Sequence, residues 1–354
     1  MRDASGREPG STPPDLTSRQ GTVLRAIVAT YVGEASPVAS QSLARALPLH
    51  LSSASIRSTM VELTRLGLID QPHTSAGRVP TELGLRVFVD ELLAGAPCLA
   101  DDDRAFAGTL GDAEPEGLMR SACALLSART RQLGFAVPPR VEREPLRHVS
   151  LVRLSSEQVL VVLVSQSGVA HQRTIEEPGR GDQAELDRVA GEVNRRIAGR
   201  TLDDVREVLV REARQLRSQA DRLRARALRL AALALEPAGL TGVDLVIGTR
   251  LALLDQPEFR DPERVRALFE ALEAKERLVV ILDKMLAARG VQVAFGCEID
   301  EPALRQCALV TATYGDGESA LGMLGVLGPS RMDFARVIPL VGSLARLVTR
   351  RFSA

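Results

Sequence analysis

The chain has 354 residues, and its 45 Lys plus Arg balance 45 Asp plus Glu, with no Trp, two Tyr and eight Phe. At about 150 residues per domain, this length accommodates two or three domains with substantial cores. A zero net charge excludes a protein that is basic all over but leaves room for one local basic patch, and the scarcity of aromatic rings argues against a single-strand binder that stacks bases on them.

No apolar run approaches the ~18 residues of a membrane span. The opening stretch MRDASGREPGSTPPDL has no hydrophobic segment of a secretory signal, and residues 1–15 read as a disordered tail. Cys98, Cys123, Cys297 and Cys307 are scattered without a CxxC pair, and His50, His73, His148 and His171 lack ligand spacing. Neither a disulfide, a metal site nor a cofactor is expected, and the expectation is a cytoplasmic chain that touches no membrane.

Residues 16–95 read as a helical block. Thr17 or Ser18 caps a helix whose apolar positions Val23, Leu24, Ile27, Val28 and Tyr31 recur at helical spacing, and Gly33 to Pro37 ends it. Ser40 caps a short second helix that Pro48 stops. Ser52 or Ser53 caps a third, with the stripe Ile56, Met60, Leu63 and Leu66, closed by Gly67. The turn-rich segment QPHTSAGRVPT suits a hairpin tip, with Gly77 read as a positive-φ turn residue, and Thr81 to Leu93 is helical again. Three helices and a hairpin in this span predict a winged helix-turn-helix. Between residues 16 and 80, arginines 19, 25, 45, 57, 65 and 78 outnumber Glu34, Glu62 and Asp70 by three, the sign a DNA-binding module needs. An ordinary three-helix bundle with a solvated face is the competing reading.

Residues 96–145 read as a linker and then a helix near Met119 to Leu133. RHVSLVRL, EQVLVVLV and GVAHQRTI alternate as three strands of a meander. A helical region follows from Asp182 to about Leu235 and another helix from Pro262 to Ala288. VQVAFGCEI, CALVTATY and LGMLGVLG return as strands, and a last helix runs from about Met332 to Arg350. This order predicts one α+β domain interrupted by a helical insertion, with two separate small sheets as the alternative. Inside the insertion Leu209, Leu216, Leu223 and Leu230 alternate with Ala213, Ala220 and Ala227 in a heptad seam. It is either a subunit–subunit helix or a helix packed within the chain; a cationic face toward nucleic acid is a third reading.

The strings SSASIRSTMVELTRLGL and IDQPHTSAGRVPTELGLRVFVDEL (69–92), LLDQPEFRDPERVRALFEALEAKERL (253–278) and GVLGPSRMDFARVI (325–338) resemble, in this order, the heat-inducible transcription repressor family HrcA. Departures from the family pattern include Ser58 and Thr64 on the third helix. The resemblance implies a dimeric repressor of heat-shock chaperone genes that binds the inverted-repeat operator CIRCE and is modulated by the chaperonin GroEL. It also implies a winged helix domain (16–95), a GAF-like domain in two parts (96–180 and 289–354) and an inserted dimerising domain (181–288).

On this reading the third helix enters the major groove. Ser53, Ser55 and Ser58 make short polar contacts, Arg57 and Arg65 meet phosphate, and Ser40 and Gln41 anchor the backbone. His73, Thr74, Ser75 and Arg78 form the wing, and Arg78 reaches phosphate or a narrow minor groove. No HExxH, GxSxG, P-loop or GxGxxG motif stands in a catalytic context, so no catalytic residues and no enzyme activity are expected. The alternative function is a winged-helix regulator that senses a metabolite through its GAF-like part.

Overall fold

The computed structural model describes residues 15–46, 52–73, 77–95, 106, 115–139, 145–166, 170–176, 182–197, 245–248, 253, 256–273, 301–315 and 320–352, and most of 199–211 and 281–299. Its architecture is a mixture of helices and sheets. The first unit contains α1 (Ser18–Glu34), α2 (Ser40–Ala46), α3 (Ser53–Arg65), the two-residue strands β1 (Ile69–Asp70) and β2 (Val79–Pro80), and α4 (Glu82–Gly95). Thr17 caps α1 in a reciprocal capping box with Gln20, and the Ser52 hydroxyl accepts the Ser55 N–H at the start of α3. Gly67, at φ +74°, turns the chain out of α3, a conformation open to glycine without strain. β1 and β2 pair antiparallel, Ile69 opposite Pro80 and Asp70 opposite Val79.

The chain continues through α5 (Pro115–Thr130), β3 (Leu133–Val137), the meander β4 (Leu146–Arg153), β5 (Gln158–Ser165) and β6 (Ala170–Glu176), and α6 (Gln183–Asn194). β7 (Val246–Ile247), α7 (Pro262–Glu273), β8 (Val291–Phe295), β9 (Cys307–Tyr314), β10 (Gly322–Pro329) and α8 (Phe334–Phe352) complete it. β7, β3, β10, β9 and β8 lie side by side in a five-stranded antiparallel sheet; β4, β5 and β6 form a separate three-stranded one.

The larger sheet is covered on both faces. Val310, Ala312, Leu324 and Val326 join the core shared with α5 and α8, while Leu309, Met323 and Leu327 face Leu268 and Leu272 of α7. That double burial explains why β9 and β10 read as continuous apolar runs rather than alternating ones.

The early and late strands therefore do not share one sheet. The chain leaves the larger sheet at Val137 and returns at Val246, where β7 pairs back onto β3. The meander lies between those points and packs Val149, Leu151, Val161 and Leu163 against Leu186, Val189 and Val193 of α6 in a core of its own. The helical region expected there is interrupted rather than continuous: α6 ends at Asn194, Gly199 (φ +73°) leads into a bridge between Thr201 and Pro145, and the described residues between 204 and 211 are helical again. β3 was not expected at all: its five residues LGFAV contain a glycine that reads as a breaker. Gly134 instead permits close packing, since a Cβ there would stand 2.4 Å from the Cys123 carbonyl of α5. The heptad residues Leu209, Ala213, Leu216, Ala220, Leu223, Ala227 and Leu230 lie outside the described residues.

Candidate nucleic-acid interface

Helix α3 has two unlike sides. Ile56, Thr59, Met60 and Leu63 are buried, in one core with Val23, Leu24, Ile27 and Val28 of α1 and Leu43 of α2. Ala54, Arg57, Ser58, Val61 and Arg65 are exposed and, at steps of three and four residues, form one stripe along the opposite side. The single acid of α3 is held against α1: Glu62 accepts from Gln20 Nε2 at 2.9 Å and lies 3.8 Å from the Arg19 guanidinium. The free face of α3 thus carries small side chains toward its N-terminus and cations on either side, a composition that admits close approach to an anionic surface.

The expected contact residues fall into three groups. Arg57, Ser58, Arg65, Gln41 and His73 are exposed. Ser40, Ser53, Ser55 and Arg78 are half-buried, so their reach outward is shorter than expected from sequence. Thr74 and Ser75 lie outside the described residues. Arg78 is fixed by its backbone, exchanging both hydrogen bonds with Val38 at 2.8 and 2.9 Å, which ties the base of the β1–β2 hairpin to the loop before α2. Gly77 is not a positive-φ residue. It is small because a Cβ would come within 2.4 Å of the Val38 carbonyl oxygen, so it permits this same close approach. Exposed Arg45, in the last turn of α2, adds a cation that was not counted among the contact residues.

Two further arginines fasten this unit to the larger sheet. Arg86 of α4 stacks 4.8 Å from the Phe295 ring centroid, donates to the Val293 carbonyl at 3.0 Å and pairs with Asp90 and Glu298. Arg331, between β10 and α8, pairs with Glu258, donates to Gln256 and reaches the Val32 carbonyl at the end of α1 at 3.1 Å. Burial, and then the Glu258 carboxylate, push the neighbouring Tyr31 phenol above its ordinary pKa. The apolar contacts agree: α1–α4 share one continuous core with α5, β8 and α8. Sequence reading missed both arginines because their partners lie far away in the chain.

Burial pushes the Cys123 and Cys307 thiols up to about 12; burial and then Glu82 do the same for Cys297. Buried Cys123 and Cys307 are protonated near neutral pH and are poor nucleophiles. Among the described residues, no three His, Cys, Asp or Glu side chains gather to hold a metal ion, and no helix is long and apolar enough to cross a membrane. An open groove of about 570 Å³ runs along α7, lined by Phe259, Pro262, Val265 and Phe269 with Arg260, Arg266 and Glu270.

A family model described as the HrcA protein C terminal domain matches residues 116–338. The heat-inducible transcription repressor HrcA of Nitratidesulfovibrio vulgaris is 37% identical over 344 residues, covering 96% of this chain and 96% of that protein. The chain belongs to the HrcA family. The HrcA repressor of Xanthomonas campestris pv. campestris is 38% identical over 339 residues, again covering 96% of both chains. A crystal structure of a hypothetical protein solved at 2.2 Å shares the fold, with a TM-score of 0.62 and 24% identity over 96% of this chain and 99% of that one. The matched family model begins beyond α4, so the HrcA membership of α1–α4 rests on the full-length relatives.

Proposed function

We propose that this chain is a heat-inducible transcription repressor that binds an inverted-repeat operator of the CIRCE type as a homodimer. The observation that carries the DNA-binding part is the free face of α3. A capped helix, buried on one side by α1 and α2, presents Ala54, Arg57, Ser58, Val61 and Arg65 on the other. With the β1–β2 hairpin as wing, α1–α4 make a winged helix-turn-helix, and α3 enters the major groove. Arg57 and Arg65 meet phosphates, Ser58 meets base edges, and Gln41 and His73 flank them. Membership of a family whose members are named heat-inducible repressors supports the same reading.

One weakly cationic module binds a half-site poorly, and pairing two raises affinity through effective concentration. The dimer interface is assigned to the unit inserted between β3 and β7. On the face of its meander opposite α6, Val152 is 40% exposed and Leu160, Val162 and Val164 are only half-buried, while Leu154 at the end of β4 is 54% exposed. The Leu/Ala heptad contributes either there or within the chain. The larger sheet with α5, α7 and α8 is the GAF-like domain, with its first part ending near residue 137 and its second beginning near 245.

Its strands are brought together across long separations. β3 pairs with β10, which closes a loop of about half the chain and makes folding slow and dependent on chaperonin. Heating then lifts repression by depleting the folded repressor while chaperonin is occupied. A gel shift on an inverted-repeat operator at several temperatures, with and without GroEL-type chaperonin, tests this. Sequence-specific binding that fades with heat and is restored by chaperonin supports the reading. Equal affinity for the inverted repeat and a scrambled duplex overturns it, and a small molecule that shifts affinity at constant temperature favours the metabolite-sensing alternative.

A further inference from the structure

Val61 is one of three large apolar side chains exposed among the described residues, at 41%. The other two, Val152 and Leu154, are on the inserted unit. Val61 is on the free stripe of α3, three residues beyond Ser58 and seven beyond Ala54, and its neighbours Met60 and Glu62 point elsewhere, into the core and onto Gln20. Nothing in the fold explains a valine here. It contributes little to the core, and a β-branched residue is a weaker helix former than the lysine, glutamate or alanine that an exposed helical position readily takes.

We propose that Val61 is a specificity-determining residue that reads the C5-methyl group of a thymine in each half-site. This rests on the proposed entry of α3 into the major groove. Thymine is the one standard base that presents an apolar group there, so an apolar side chain on the free face of a groove-reading helix matches thymine and rejects cytosine at that position. Small Ala54 and Ser58 on the same stripe let the helix backbone come close, and the stiffness of a β-branched side chain in a helix holds the two methyls in place before contact. Ser58 and Val61 are about 4.5 Å apart along the helix axis, a little more than one base-pair step of about 3.4 Å. The thymine is therefore placed next to the base pair that Ser58 faces. Glu62, the one α3 group that would repel phosphate, is kept off this face by Gln20 and Arg19.

The test is a thymine-to-uracil scan with the full chain. Each thymine of the inverted repeat is replaced in turn by deoxyuridine, which removes the methyl and leaves every hydrogen-bonding group in place. One position per half-site is expected to weaken binding about 4-fold, the loss of one buried methyl, and about 15-fold when both half-sites are changed. Val61→Ala, at an exposed position, is expected to keep the wild-type melting profile and to bind thymine and uracil operators alike at that position. Uracil tolerated everywhere by the wild type, or a penalty that survives undiminished in Val61→Ala, overturns the assignment while leaving the repressor reading intact. Failure of the wild type to prefer any thymine-containing inverted repeat overturns both.

Discussion

Arg331→Ala removes the side chain that joins the end of α1 to the larger sheet. The Arg331 side chain is 12% exposed and that of its partner Glu258 24%, so both are largely out of water. Removing one member of a buried pair costs about 3–5 kcal/mol, because the other is left charged and unpaired. Residual access to water at Glu258 reduces this, and the orphaned Val32 carbonyl adds about 1 kcal/mol, so a local cost of about 2–4 kcal/mol is expected. The perturbation is local, and hydrogen exchange at the last turn of α1 and at 256–259 reads it directly. At a factor of ten per 1.4 kcal/mol, exchange there should accelerate roughly 30-fold to several hundred-fold, with the interior of β9 unchanged. Arg331→Met combined with Glu258→Met should recover at least half of the loss, since no charge is then stranded. Equal exchange in the wild type and Arg331→Ala, or strictly additive single and double variants, would refute the role of this pair in fastening the two units.

Other expectations follow from the same geometry. Arg57→Ala and Arg65→Ala should each lower the slope of log affinity against log salt by about one, measured by operator titration between low and moderate salt; an unchanged slope removes that arginine from the phosphate contacts. Gly77→Ala, whose Cβ would meet the Val38 carbonyl oxygen at 2.4 Å, should displace the wing, cost about 1–3 kcal/mol in a urea melt and weaken operator binding. Val152→Asp with Val162→Asp should convert the proposed dimer to monomer in analytical ultracentrifugation and abolish tight binding to the inverted repeat without unfolding α1–α4. The buried Cys123 and Cys307 thiols are pushed from 9.0 up to about 12. Folding favours their neutral forms, so their contribution is intact below pH 9 and is lost as pH rises from about 9 to 12. Replacing both with alanine should flatten that alkaline loss in urea melts at pH 8 and 10.5.

The units differ in how much of them could be read from sequence, and the difference is physical. α1–α4 are specified by neighbours in sequence. The Thr17 and Ser52 caps, the glycine at 67 and the 3.6-residue stripes all act within a turn or two, so their limits emerge within a few residues of those expected. Strands β4, β5, β8, β9 and β10 are also legible as strands, because alternation and apolar runs are local signals. Their partners are not legible. The pairing of β3 with β10, and of β7 with β3, depends on side chains more than a hundred residues apart, and no local pattern distinguishes a meander that joins the large sheet from one that stands beside it.

The site shows the same division. Helical periodicity alone places Ser58, Val61 and Arg65 opposite Ile56 and Leu63, while Arg57 stands out by its charge. Periodicity does not tell that Val61 on this face matters, because the contact residues are chosen by polarity and charge. Gly77 was read through its freedom at positive φ, whereas its use is clearance from Val38, a contact between loops forty residues apart. Arg86 and Arg331 gave no sequence signal, since an arginine that anchors a domain looks like one that faces solvent until its partners are in place.

In the proposed complex, α3 of each of two protomers lies in the major groove of an inverted repeat. Arg65→Cys, at the far end of the free stripe of α3, in a chain whose Cys98 and exposed Cys297 are replaced by serine, can carry an iron chelate that cleaves nearby DNA. Bound to the operator, it should cut at two clusters related by the two-fold axis of the repeat, each centred in a half-site, with the same chelate at Thr22 of α1 cutting far less. Cleavage spread evenly along the duplex, or equal cutting from Thr22 and Arg65, would contradict this placement.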